Sequence, residues 1–267
     1  MLKTDFHLHT PLCRHATGTM ADYVSTAINL GLEEICFTDH VPLPGGFDPT
    51  HRMQPEELPG YRREVSRLQA EFNSDIKIRL GLECDYMPGL EPWLEQLLYE
   101  TPYDFILGSI HFLGRYGDPD PCFVMRPGSI PLQELEAVYW VQMEQLVLSG
   151  LYDAVAHLDI FKRSGWQPDS GQQAQIERIF DLMTQHEIAL EFNSSGWDKP
   201  GVREAYPDRS LLQLARELNL ALTFGSDAHA PSQVGRHRDR ITAAMLECGF
   251  TRYAVYRERQ PVYLSLG

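Results

Sequence analysis

Seven times in succession, a short apolar run is followed by a stretch with helical spacing, and no linker separates the units. The runs lie at residues 3–8, 34–38, 76–82, 105–110, 152–156, 188–192 and 220–224. The helical stretches lie at 20–30, about 56–72, 90–99, 132–148, 172–186, 209–218 and about 238–247. Thr19 is placed to cap the first helix, and Gly31 and Gly150 to end the first and fourth. Alternation of this kind implies parallel strands joined through helices, and seven units suggest a closed or nearly closed barrel. An open doubly wound sheet is the alternative. The chain of 267 residues is read as a single α/β domain, 1–267, with loops at 41–60 and 113–130. Two strand-like pieces, 253–256 and 262–266, finish it.

The formal net charge of -14 argues against an extended basic surface for nucleic acid. It leaves room for an anionic small molecule, because bound cations reverse the sign of a local pocket. Cys13, Cys36, Cys84, Cys122 and Cys248 are odd in number and scattered, which fits a reducing compartment rather than a disulfide framework. Residues 1–10 carry charge and histidine where a signal peptide is apolar, and no run approaches a membrane span. These features suggest a cytoplasmic protein without a membrane partner; they say nothing of its oligomeric state.

The strands carry their polar residues at one end. His7, His9, His40, Glu83, His111, His157 and Asp227 fall at or just after the C-terminal ends of the runs. His229 follows two residues later, and His15 lies in the first loop. His7 and His9 share one side of a strand by its period of two. In a barrel these ends converge on the face where active sites form. Any one of these residues is explained by a buried hydrogen bond or a helix cap. The set together points to a metal site, since so many buried imidazoles and carboxylates need a shared counter-charge. Nine donor groups are too many for one ion and imply two or three divalent ions, of Zn, Mn or Fe type, with Glu83 as the bridging carboxylate.

The motifs His7-Leu-His9-Thr10, Thr38-Asp39-His40, Gly81-Leu-Glu83, Gly108-Ser-Ile-His111, Ala156-His157-Leu-Asp159 and Gly225-Ser-Asp-Ala-His229 resemble the polymerase and histidinol phosphatase (PHP) superfamily. They look most like its stand-alone histidinol-phosphate phosphatases. The resemblance implies a distorted (β/α)7 barrel and a trinuclear metal site. It implies a first ion on His7, His9, Glu83 and Asp227, a second on Glu83, His111 and His157, and a third on His15, His40 and His229. The implied reaction is hydrolysis of L-histidinol phosphate in histidine biosynthesis. A metal-bridging hydroxide would be the nucleophile, and Glu83 and Asp227 would hold the catalytic ions. Another small phosphate ester, such as a nucleotide, is the alternative substrate.

Such chemistry needs an activated water, neutralised phosphoryl charge and a proton for the leaving alkoxide. Lys162 and Arg163 are the first candidates for phosphate contacts, followed by Arg14 and Arg236. Asn193 and Ser195 end the sixth strand as candidate hydrogen-bonding groups. Phe112 or Trp197 would stack on an imidazole ring. Water, Asp39 or a protonated histidine is the candidate acid. A non-catalytic metal-binding module and an amidohydrolase-type barrel are the rival classes; the latter often uses a carboxylated lysine, and no lysine stands at a suitable strand end.

Overall fold

The computed structural model describes residues 1–118, 121–165 and 172–266. In chain order the strands are β1 (Thr4–Leu8), β2 (Glu34–Phe37), β3 (Lys77–Asp85), β4 (Phe105–Ser109), β5 (Phe112–Leu113), β6 (Cys122–Phe123), β7 (Ala154–Val155), β8 (Ala189–Asn193), β9 (Leu222–Gly225), β10 (Arg252–Arg257) and β11 (Gln260–Ser265). The helices are α1 (Met20–Asn29), α2 (Leu58–Glu71), α3 (Glu91–Tyr99), α4 (Leu132–Leu148), α5 (Gln173–Gln185), α6 (Arg209–Glu217) and α7 (Arg238–Glu247). Seven strands pair in parallel in the order β1-β2-β3-β4-β7-β8-β9. Their apolar runs follow from that position, because barrel strands are buried on both faces. β1, β2, β4, β8 and β9 are buried along their whole length.

Local rules set the helix ends. Thr19 accepts from the Asp22 amide while the Asp22 carboxylate accepts from the Thr19 amide, a capping box that starts α1. Asp208 caps α6, whose Leu211, Leu212 and Ala215 face the barrel. Loop 113–130 contains an element that periodicity does not reveal: the two-residue ladder of β5 and β6.

The barrel is nearly closed. β9 and β1 share no regular ladder; one bridge, Leu8 to Ala228, joins them at the C-terminal end. Lower down, the buried Asp5 carboxylate fills the seam, with Oδ1 accepting from the Ser226 amide at 2.9 Å and Oδ2 from the Gly235 amide at 2.8 Å. Replacing Asp5 by Ala removes the acceptor of these two buried N–H groups, at roughly 1–3 kcal/mol each, and of the His7 amide, which also points to Oδ1 at 3.4 Å. Denaturant unfolding should therefore show Asp5→Ala destabilised by about 3 kcal/mol; an unchanged midpoint would show that the seam closes without this residue.

The two terminal strands form an antiparallel hairpin across the other end. Tyr256 stacks on Phe105 with ring centroids 4.8 Å apart, and its hydroxyl donates to the Asp153 carbonyl. Arg257 pairs with Glu34 and Arg259 with Asp153, residues at the starts of β2 and β7. The hairpin thus seals the N-terminal mouth and leaves the C-terminal mouth as the open end. No helix among the described residues is long and apolar enough to cross a membrane.

Candidate metal centre

The C-terminal mouth opens on a cavity of about 480 Å³ whose lining includes His15, His40, Glu83, His111, His157, Asp227 and His229. Glu83, near the end of β3, is its centre. Its Oε2 lies 3.4 Å from His7 Nε2, 3.4 Å from His9 Nε2 and 3.0 Å from His40 Nδ1. Its Oε1 lies 3.0 Å from His157 Nε2 and 3.8 Å from His111 Nε2. Asp227 Oδ1 stands 3.3 Å from His9 Nε2 and 3.9 Å from His7 Nε2. All nine side chains singled out in the sequence meet here.

Hydrogen bonds fix which ring nitrogens face inward. Glu191 Oε1 accepts from His7 Nδ1 at 2.6 Å, and Asp85 Oδ1 from His111 Nδ1 at 2.9 Å. His15 Nδ1 donates to the Cys13 carbonyl at 2.7 Å, and His229 Nδ1 to the Asp227 carbonyl at 3.0 Å. In the neutral rings the Nε2 lone pairs are then left to the site. Those of His15 and His229 face each other at 2.9 Å, and those of His7 and His9 at 3.0 Å. Facing lone pairs repel unless a cation or a shared proton lies between them. His40 Nδ1 and Glu83 Oε2 are close but misaligned, and neither has a hydrogen-bond partner among the described residues. Three donor groups are compact enough for an ion, with donor atoms within 4.8 Å of one another: His7, His9 and Glu83; His40, Glu83 and His111; and His15, His40 and His229. Imidazole and carboxylate donors of this kind fit divalent zinc, manganese or iron. Cys13 is buried and forms a further group with His9 and His229.

Burial and neighbouring charges pull the donors' pKa values in different directions. Burial disfavours charge on His7, but Glu191, Glu83 and Asp227 outweigh it and raise its pKa to about 10. His9 is also raised, against burial, by Asp227 and Asp39. Burial lowers His40 to about 4 despite Glu83. Burial would raise Glu83, yet His40 and His7 hold it well below the usual carboxylate range. With its pKa near 10, His7 is protonated at neutral pH, so an ion that binds it must displace a proton. Zinc titrated into metal-free protein at pH 7 should release protons, and its affinity should rise with pH. Calorimetry in buffers of different ionisation enthalpy reads this directly; identical heats in all buffers would contradict it.

The PHP domain profile matches residues 5–195, and the PHP-associated profile matches residues 209–244. The chain belongs to the PHP family. This PHP chain is 40% identical over 259 residues to a probable histidinol-phosphatase of Deinococcus radiodurans, covering 96% of this chain and 98% of that protein. It is 31% identical to the histidinol-phosphatase of Bacillus subtilis, covering 88% and 96%. It also resembles the crystal structure of histidinol phosphate phosphatase from Lactococcus lactis, complexed with zinc, L-histidinol and phosphate. That match has a TM-score of 0.79 at 26% identity and covers 98% of this chain and 100% of that one. The nearly closed barrel of seven parallel strands suggested by the alternation, and implied by the PHP resemblance, is the fold found.

The candidate substrate contacts separate. Arg163 lines the cavity and is exposed. Its neighbour Lys162 does not line it: Nζ is buried on Asp159 Oδ2 at 2.8 Å, Glu204 Oε1 at 3.0 Å and the Ala205 carbonyl. Both sit on a 3-10 turn, Ile160–Ser164, in which successive side chains diverge by about 120°. Arg14 pairs with Glu57 away from the lining. Arg236 donates to the Ser226 and Asp227 carbonyls and braces the β9 end from behind. Asn193 donates to Glu191 Oε2 and accepts from the Ser195 amide, so it supports Glu191. Trp197 packs on His237 outside the cavity, whereas Phe112 lines it. Asp39 is unsuited to proton donation: Thr10 and the His40 amide occupy its oxygens, and it is fully buried.

Other residues of the cavity carry no signal in the sequence. Arg126 and Lys199 join Arg163, and none of the three has a carboxylate partner among the described residues. Asp48, His51 and Arg52 come from the loop between β2 and α2, and Phe123 from β6. Glu191 was legible in principle, as a carboxylate inside an otherwise apolar strand.

Proposed function

We propose that this PHP chain hydrolyses L-histidinol phosphate to L-histidinol and phosphate at a site of three divalent ions. His7, His9, Glu83 and Asp227 would hold the first ion, Glu83, His111 and His157 the second, and His15, His40 and His229 the third. The carrying observation is that all nine donors meet at one mouth, around and beside Glu83, in a chain with relatives named histidinol-phosphatase. The Lactococcus lactis protein, complexed with zinc, L-histidinol and phosphate, supports the choice of substrate and metal. When bound, divalent ions supply a nucleophile at neutral pH and neutralise charge on the phosphoryl oxygens.

The chain's own groups do the rest. Glu191, Asp85 and Asp39 orient the ligand imidazoles. Arg163, Arg126 and Lys199 supply positive charge for the phosphoryl group, and the arginines are suited to bidentate contact. Phe112 and Phe123, with centroids 5.4 Å apart, give an apolar wall for the substrate's ring.

Phosphate release from L-histidinol phosphate with zinc or manganese, compared with nucleoside monophosphates, tests the assignment. Faster turnover of a nucleotide would transfer the chain to another small ester. Arg163→Gln should raise KM for the monoester and weaken inhibition by inorganic phosphate by about tenfold, the scale of one charge-assisted hydrogen bond. Unchanged inhibition would place the phosphoryl group elsewhere.

A further inference from the structure

The proposed hydrolysis leaves the alcohol oxygen with the electron pair of the broken P–O bond, and an alkoxide needs a proton to depart. The nine donors around Glu83 are committed to cations. The remaining polar side chains lining the cavity are Asp48, His51, Arg52, Arg126, Arg163 and Lys199. Arginine keeps its proton in proteins. Lys199 lines the cavity with Arg163 and is assigned to the phosphoryl group in the proposed reaction. Asp48 is locked by Arg52, leaving His51.

His51 is held as a proton-transfer group is held. Asp48 Oδ1 accepts from its Nδ1 at 2.7 Å, with Thr50 Oγ1 also near, at 3.1 Å. Asp48 Oδ2 receives Arg52 Nε at 3.3 Å and Nη2 at 3.1 Å. Asp48 stands at φ +53°, an uncommon conformation for a residue other than glycine. Arg52 is 2% exposed and is itself fixed by the Val41 carbonyl at 3.1 Å and by Asp85 Oδ2 at 2.9 Å. Asp85 in turn holds both the His111 ring and the His111 amide. The β2–α2 loop is therefore tied rigidly to the metal centre. His51 Nε2 has no hydrogen-bond partner among the described residues, and the ring centroid lies 5.7 Å from that of His15. A proton-carrying ring, an orienting carboxylate and a buried guanidinium behind it form an ordered set at the cavity wall.

We propose that His51, oriented by Asp48 and Arg52, donates the proton to the leaving alcohol, a role that rests on the phosphomonoesterase reading. As the P–O bond breaks, its electron pair stays on the alcohol oxygen. The Nε2 proton moves to that oxygen, Nδ1–H remains on Asp48, and the neutral ring regains a proton from solvent. Half of the His51 side chain is open to water, so the return path is short.

The test compares leaving groups. L-histidinol phosphate releases an alcohol that needs protonation; p-nitrophenyl phosphate releases an anion that is stable without it. His51→Gln should lower turnover of the alkyl ester by about 10²–10³-fold, and the ratio of alkyl to aryl turnover by roughly 10²-fold. Asp48→Asn should move the ratio in the same direction by a smaller factor. Lys199→Gln should depress both esters together. Elemental analysis of each variant checks that the metal content is retained. Equal loss on both esters, or full alkyl turnover by His51→Gln, would overturn the proton role. Failure of the unaltered protein to turn over the alkyl ester would instead overturn the proposed reaction and, with it, this step.

Discussion

Glu83→Gln is expected to lose at least roughly 10³ in turnover, about 4 kcal/mol of transition-state stabilisation, together with part of its metal. The side chain keeps its size, so the effect is chemical. Among the described residues, Glu83 is the one within 3.4 Å of His7, His9, His40 and His157 at once. Two carboxylate oxygens facing opposite sides suit it to bridge ions, and an amide offers one oxygen and two N–H donors instead. Those donors would compete with cations for imidazole lone pairs. The metal-free state suffers too, because Glu83 balances the protonated His7. Removing one partner of a buried ion pair costs about 3–5 kcal/mol. Metal content and kcat are the readouts; a variant that retains all its metal and turns over normally would remove Glu83 from the centre.

The frame of this site was readable because barrel strands are buried on both faces. Residues 105–110 and 220–224 stand out as short apolar runs, and a histidine or aspartate just after such a run has one place to go, the C-terminal mouth. His111 and Asp227 were legible for that reason. Loops obey no such rule. Nothing in residues 41–60 announces that Asp48, His51 and Arg52 fold back to the mouth, because a loop's path depends on contacts with distant strands, here Asp85 and Val41. Direction within a turn is equally hidden. Lys162 and Arg163 are neighbours of the same charge, yet one is buried against Asp159 and the other lines the cavity. The supporting carboxylates escaped for a different reason. Asp39 and Asp85 lie one and two residues from candidate ligands, and spacing alone does not separate a group that touches the ion from one that holds an imidazole.

Gly225→Ala shows how tightly that support is packed, and its effect should rival the loss of a ligand. Gly225 ends β9, with φ in the range open to any residue, so backbone strain is not at issue. Space is. A methyl group here would overlap the Glu191 carboxylate and come within 2.5 Å of His7 Cβ. Glu191 has no alternative seat: Oε1 accepts from His7 Nδ1, while Oε2 accepts from the His157 amide and Asn193 Nδ2. The methyl group must therefore displace either the carboxylate or the β1 backbone that carries His7 and His9. Loss of a hydrogen bond that orients a metal-binding histidine costs about 10–100-fold in metal affinity or activity, and both the bond to the His7 ring and the bond to the backbone of His157, two proposed ligands, are touched here. Gly225→Ala is expected to fold, to bind zinc at least about 100-fold more weakly, and to regain part of its turnover at high zinc. Glu191→Gln should reproduce the zinc dependence without any steric change. If Gly225→Ala bound zinc as tightly as the parent, Glu191 would not be what orients His7.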